Sequence, residues 1–334
     1  MGSSKSKTFF LLVIALLASS CNKTADNTAS SEAKPEPENH VRATGLRIPD
    51  NLPEISSQTN VRATKLLSTA TKTTTSATTK STLQHPDFCN ASVESFDFRA
   101  VSMVTPVKDQ GQCGACWAFA TNAVLESSYL ALRKEHIDAS EQELISCAPA
   151  GKFGDRNCEG GWWAFDVLEK PGIESTSRYP YSHSDAQCIS NRSVEFRAFV
   201  SGYVLSGDDA ISVPSDNTLK TAMCKHGPLA VGFDATPTFT DFGWNNHSSS
   251  HVFAESDSAK VNHGITLVGW DKDGWIIKNS WGPKWGDQGF LRVKYGTNSI
   301  GFGAAWAEAW AKDYDPPETV RALIGTPSKP HKKH

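Results

Sequence analysis

Gln110-Gly111-Gln112-Cys113-Gly114-Ala115-Cys116-Trp117-Ala118-Phe119 is the stretch on which the reading of this chain turns. Two cysteines flank a glycine turn, and the second opens an apolar run, Trp117 to Leu132, that predicts a helix over Cys116–Leu132. A thiol at the amino end of a helix sits in the positive end of the helix dipole. That field favours thiolate over thiol, and the thiolate is the nucleophilic form. Cys116 is therefore the candidate nucleophile, and the rest of the chain must supply its base, the group that orients that base, and a site for developing negative charge.

The 334 residues could form one large domain or two. With 33 basic and 36 acidic residues the net charge is −3, which argues against nucleic acid or a basic membrane patch. Eight cysteines are present: Cys21, Cys89, Cys113, Cys116, Cys147, Cys158, Cys188 and Cys224. With Cys116 kept free and Cys21 assigned to an export segment, the remainder can form three disulfides, a parity that suits an oxidising compartment. Lys5 and Lys7 precede the apolar run Phe9 to Ala18, which is too short to cross a membrane, so residues 1–20 read as a signal peptide. Ala18-Ser19-Ser20-Cys21 permits two endings: ordinary cleavage before Cys21, or a loose bacterial lipobox in which Cys21 is lipidated. The lipoprotein ending is preferred, because a long polar linker follows. The expected product is exported, anchored in the periplasm or at the cell surface, or else secreted.

Residues 21–84 lack a core signature. Ser68 to Lys80 has no aromatic and no large aliphatic residue, so the segment is expected to be a solvated linker, with at most a short helix within residues 42–67. The folded domain is expected over residues 85–314 and a disordered tail over 315–334. Helices are predicted at Ser140–Cys147, where Ser140 and Glu143 make a capping box, and at Trp162–Lys170. Strands are predicted at Val194–Val204, Gly227–Asp234, Gly264–Asp271, Gly274–Asn279 and Gly289–Lys294. Helices first and strands second give an α+β fold: a helical lobe, an antiparallel β-barrel-like lobe, and a cleft between them.

His263 is the candidate base. It leads an apolar strand, Gly264 to Trp270, and lies 147 residues after Cys116. Asn279, within Lys278-Asn279-Ser280-Trp281-Gly282, can accept from an imidazole N–H and fix the ring, with Trp281 shielding the pair. Gln110, six residues before Cys116, carries an amide donor for an oxyanion. The Cys113-Gly-Ala-Cys116-Trp motif and the Lys-Asn-Ser-Trp-Gly string resemble those of the papain-like cysteine peptidases, over roughly residues 88 to 312. The resemblance implies a Cys116–His263–Asn279 peptidase with Gln110 in its oxyanion hole, acting as an endopeptidase on protein or peptide substrates. It implies no cofactor and no metal, and a monomer is expected. Family propeptides are helical with a charged and aromatic pattern that residues 21–84 lack, so no full inhibitory propeptide is expected.

The resemblance also assigns the cysteines. Cys158-Glu-Gly160-Gly161-Trp162-Trp163 is similar to the family's C-x-G-G segment, which pairs Cys113 with Cys158 and leaves Cys147 for Cys188. Cys89 and Cys224 are left over and are expected to pair. Gly160 and Gly161 would let a peptide backbone approach, Trp162 and Trp163 would wall the pocket for the side chain two before the scissile bond, and Gly264 joins these substrate-binding residues. The right-lobe disulfide of the family is missing, and Gly303 stands where one of its cysteines would fall. Counting five residues on places Glu308 at the pocket floor, where it would admit basic as well as apolar groups. Two other readings stay open: a non-catalytic peptide-binding protein on this fold, and a transpeptidase or acyltransferase using the same thioester. A thioredoxin-like use of Cys113 and Cys116 gives no role to His263 or Asn279.

Overall fold

The structure, a computed structural model, describes residues 42–72, 89–148, 153–255 and 260–310. The signal segment, Cys21, the Thr-rich stretch and the tail fall outside the described residues, apart from the first few residues of that stretch. The description below concerns one compact unit, which begins at His40.

Helix α1 (Leu52–Lys72) comes first, then the short strand β1 (Phe96–Asp97). Three helices follow: α2 (Cys116–Arg133), α3 (Glu141–Cys147) and α4 (Phe165–Glu169). The second half holds β2 (Val200–Tyr203), α5 (Asp216–His226), β3 (Leu229–Phe233), α6 (Pro237–Asn245), β4 (Val252–Phe253), β5 (His263–Trp270), β6 (Gly274–Lys278), β7 (Phe290–Lys294) and β8 (Phe302–Glu308). The strands form one sheet in the order β2-β8-β3-β5-β6-β7-β4, with β1 paired to β5. All pairs are antiparallel except β4 with β7. This is the mixed α+β architecture expected, with helices early and a large antiparallel-rich sheet late.

Helix α2 is buried on almost every side, from Cys116 to Tyr129, as an apolar helix at the centre of a protein must be. Its polar residues are matched inside. The Glu126 carboxylate accepts from Thr105 Oγ1 at 2.5 Å and from Lys108 Nζ at 2.9 Å, which fixes the segment before α2 to the helix. Ser140 caps α3 by accepting from Glu143 N at 3.0 Å, half of the predicted capping box. Helix α4 starts three residues later than predicted, because Trp162 and Trp163 are buried in irregular chain before it. The apolar residues separate into two buried clusters. One gathers α2, α3, α4 and the tryptophans 162 and 163, and the other gathers most of the sheet with α5 and α6. The disulfides are Cys113–Cys158, Cys147–Cys188 and Cys89–Cys224, the pairs read from the sequence, and Cys116 is free.

Residues 42–72 correct the expectation of a solvated linker. Leu52, Ile55, Ala63 and Leu66 recur at helical spacing and are all buried. Burial of Leu52, Ile55 and Leu66 contributes about 1.5–3 kcal/mol each against exposure. The helix packs along the sheet's edge strand β2. Asn60 completes the join as a backbone would: its Nδ2 donates to Tyr203 O at 3.1 Å and its Oδ1 accepts from Tyr203 N at 2.8 Å. An exposed strand edge is thereby covered.

Candidate active site

Cys116 is the first residue of α2. The N-cap position is Ala115, which offers no side-chain cap, so the first-turn amides are not taken by a capping side chain. The amides of Cys116 and Trp117 face the thiol, as do those of Gly264 and Gly45. His263 opens β5, opposite Phe233 of β3, and the register of β5 on β6 brings Asn279 alongside it. Asn279 Oδ1 meets His263 Nε2 at 2.8 Å and also accepts from Ser280 N at 2.8 Å. The indole of Trp281 stacks on the imidazole, ring centres 4.6 Å apart. With Nε2 engaged, the other imidazole nitrogen, Nδ1, is buried without a hydrogen-bond partner among the described residues. It is the nitrogen available for exchange of a proton.

Gln110 is fixed on both faces. Ser280 Oγ donates to its Oε1 at 2.6 Å, Gln110 N donates to Ser280 O at 2.8 Å, and Tyr181 Oη donates to its carbonyl at 2.8 Å. The amide Nε2 is thus oriented, donating to Cys113 O and to Ala43 O at 2.9 Å each. Ser280 escaped the sequence reading, although it lies inside the motif that was singled out.

The groove beside Cys116 is filled by the chain's own residues 42–48. Gly45 N and Leu46 N donate to Asn262 O, Arg47 N donates to Gly161 O at 2.9 Å, and Gly161 N donates to Gly45 O at 2.8 Å. The pairing of Leu46 with Gly161 is parallel. Gly161 therefore holds a peptide backbone, and Gly160, at φ +141°, is in a conformation suited to glycine. Gly45 must be glycine, since a Cβ there would lie 1.9 Å from Gly114 O. Leu46 is buried in the cluster that contains Cys116, Trp162 and Trp163, with Val261 packed against it. Ring atoms of Trp163 lie about 3 Å from where a Gly264 Cβ would stand, so the indole walls the groove beside His263. Trp162 donates to Tyr203 Oη at 3.0 Å and Trp163 to Gly303 O at 2.9 Å. Arginines pin the segment's flanks: Arg42 on Asp109 at 3.3 Å, Arg47 on Glu159 at 3.1 Å, and Arg62 of α1 on Glu169.

Cover changes the protonation of the reacting pair. Burial pushes the Cys116 thiol up to about 12, against the pull of the backbone amides of Gly264, Gly45 and Trp117. Burial likewise pushes His263 down to about 4, with the Asn279 hydrogen bond opposing. Covered, both groups are neutral at pH 7.

Glu308 is not where the count placed it. Its carboxylate meets His226 Nδ1 at 2.5 Å, and that imidazole stacks on Trp306. Side chains alternate along a strand, and the β8 residue that pairs with Ala230 and shares the Leu46 cluster is Ala305. The count failed because no cysteine marks the register in this chain.

A comparison with family models matches residues 92–308 to the papain family of cysteine proteases. This chain belongs to that family. It is 35% identical over 205 residues to digestive cysteine proteinase 3 of Homarus americanus, covering 59% of this chain and 60% of that protein. It is 35% identical over 207 residues to cathepsin S of Mus musculus, covering 60% and 58%. The chain thus spans about 60% of the length of these relatives. Among solved structures, a Carica candamarcensis cysteine protease in complex with E-64 superposes with a TM-score of 0.56 at 26% identity, covering 65% of this chain and 98% of that one. The bromelain protease of Ananas comosus, in complex with the E64 inhibitor, gives 0.55 at 29%, covering 65% and 99%.

Proposed function

We propose that this chain is an exported cysteine endopeptidase in a latent form, in which residues 42–48 occupy the cleft and α1 holds them there. The observation that carries the reading is a fixed imidazole, bonded to Asn279 under Trp281, beside a free thiol at the amino end of α2. Once the cleft is open, water and substrate lower the cost of charge, and a proton passes from Cys116 Sγ to His263 Nδ1. The thiolate attacks the scissile carbonyl carbon, and the carbonyl electron pair moves to oxygen. Gln110 Nε2 and the Cys116 N–H stabilise that oxyanion. Collapse expels the amine, which takes the proton from His263, and leaves a thioester. His263 then removes a proton from water, the hydroxide attacks the thioester, and the acid leaves as the thiol is reprotonated.

The covering segment is a poor substrate for a geometric reason. Its Gly45 N–H is engaged by Asn262 O at 3.0 Å, and the carbonyl that reaches Gln110 belongs to Ala43, two residues earlier. Three disulfides beside a free nucleophilic cysteine favour an oxidising compartment. Export and a lipid anchor at Cys21 rest on the sequence of the first residues.

The test is hydrolysis of an internally quenched peptide library by the processed chain beside Cys116→Ala. Cleavage that depends on Cys116 and yields free carboxylates supports the reading. Equal turnover by both proteins contradicts it, and capture of an added amine in place of water would make the enzyme a transferase.

A further inference from the structure

A cavity of about 180 Å³ lies between α1 and the rest of the domain. Phe153, Trp163, Phe165 and Tyr203 line it on the domain side, and Gln58, Thr59 and Arg62 line it from α1. Two carboxylates reach it, and their circumstances differ. Asp166 is engaged by both terminal nitrogens of Arg156, whose side chain is fully buried, at 2.7 and 3.1 Å. Glu169 is 5% exposed: Ser201 Oγ donates to Oε1 at 2.7 Å, the Ser201 backbone N–H also bonds the carboxylate, and Arg62 of α1 pairs with Oε2. The domain itself therefore gives Glu169 only neutral donors, the hydroxyl and the backbone N–H of Ser201, and the cation comes from the covering helix.

The place of this cavity ties it to the reacting groups. Trp163 lines the cavity and also walls the groove at Gly264, next to His263. Phe153 is shared with a second cavity, along Arg47 to Asn51, so the path of the covering segment passes from one to the other. Removal of α1 would open a carboxylate among aromatic faces and leave it without a cationic partner, a costly state that a new cation relieves. A guanidinium suits that place, because it pairs with a carboxylate through a fixed fork and stacks on aromatic faces.

Resting on the latent-peptidase reading above, we propose that Glu169, with Ser201 and the aromatic walls, is a subsite for a cationic side chain of the peptide substrate. Arg62 occupies that subsite while α1 is in place. Leu46 and Arg62 are then two stand-ins on one covering segment, the first for an apolar substrate residue and the second for a basic one. Basic preference thus arises from α4 and β2, and not from β8.

The test compares peptides that carry Arg or the isosteric, uncharged citrulline at each of three positions on either side of the cleaved bond. The processed enzyme, Glu169→Gln and Glu169→Asp are assayed together, with active sites counted by alkylation of Cys116. The subsite predicts one position at which wild type favours Arg over citrulline by about tenfold, the worth of one charge-assisted hydrogen bond. The ratio should fall to near unity in Glu169→Gln and stay intermediate in Glu169→Asp, and each ratio cancels losses common to both peptides. No Arg preference in wild type at any position overturns the subsite, as does a preference that Glu169→Gln retains. Failure to cut any peptide overturns the peptidase reading, and the subsite with it, a result distinct from turnover without selectivity.

Discussion

At the residue scale, two proposed site residues are each oriented through a side-chain hydrogen bond. Asn279 orients His263 and Ser280 orients Gln110, so the two supports make different predictions. Gln110→Ala removes a donor from the oxyanion and should lower kcat by ~10²–10³ with little change in KM, measured on one good peptide substrate. Ser280→Ala leaves that donor but frees its rotamer, and should cost less than Gln110→Ala in the same assay. The protonation states give a pH prediction whose sign is determined. Covered His263 is held down to about 4, whereas an open imidazole titrates near 6.5. Between those values an open His263 that has not taken the Cys116 proton binds one from solution that the covered form refuses, so acidification through that window favours opening. Amide exchange over residues 42–72, corrected for intrinsic rates, should show less protection at pH 5 than at pH 7. Unchanged protection would remove His263 from the latch.

At the element scale, α2, α3 and the strands β3, β5, β6 and β7 were legible, because apolar period and glycine punctuation agreed with the fold. Strand β8 was not read. Its run Gly303-Ala-Ala-Trp-Ala-Glu-Ala lacks β-branched residues, and its conformation comes from pairing with both β2 and β3. Helices α5 and α6 were passed over although Ser215 and Thr236 cap them, accepting from Thr218 N and Phe239 N. Residues 42–72, expected as a solvated linker with at most a short helix, form the long buried-faced helix α1 and the segment before it. Their mean hydropathy is low and their four apolar contacts are spread along 21 residues of helix, so composition hid a stripe that spacing would have exposed. The strap also rests on one small residue. Gly45→Ala has no room beside Gly114 O, so the strap must lift, and the alkylation rate of Cys116 in the full chain should rise at least ~10-fold. A rate equal to wild type would mean that the segment does not cover the thiol in solution.

At the scale of the whole molecule, one buried cluster joins α2–α4 to residues of β2, β3 and β8 and the other holds most of the sheet, and the proposed catalytic groups come from separate elements: Cys116 opens α2, His263 opens β5 and Asn279 follows β6. The fold class was legible in the order of helices and strands, and the residues proposed as nucleophile, base and orienting amide each sit in a short motif with its own physical reason. The pocket floor could not, since it depended on a count across a segment without its usual marker. Cys89–Cys224 closes the longest loop of the three disulfides and ties the start of the domain to α5. Replacing both by serine should lower stability by about 2–5 kcal/mol, read from chemical denaturation.

The most direct measurement is the turnover of one quenched peptide at neutral pH by the full chain, Leu46→Asp, and Leu46→Asp combined with Cys116→Ala. Burying an unpaired carboxylate in place of Leu46 should expel the segment, so the single variant should cut faster than the unaltered chain and the double variant should not cut. A Leu46→Asp chain no faster than wild type, or a double variant that still cuts, would contradict a Cys116 peptidase held latent by its own residues 42–48.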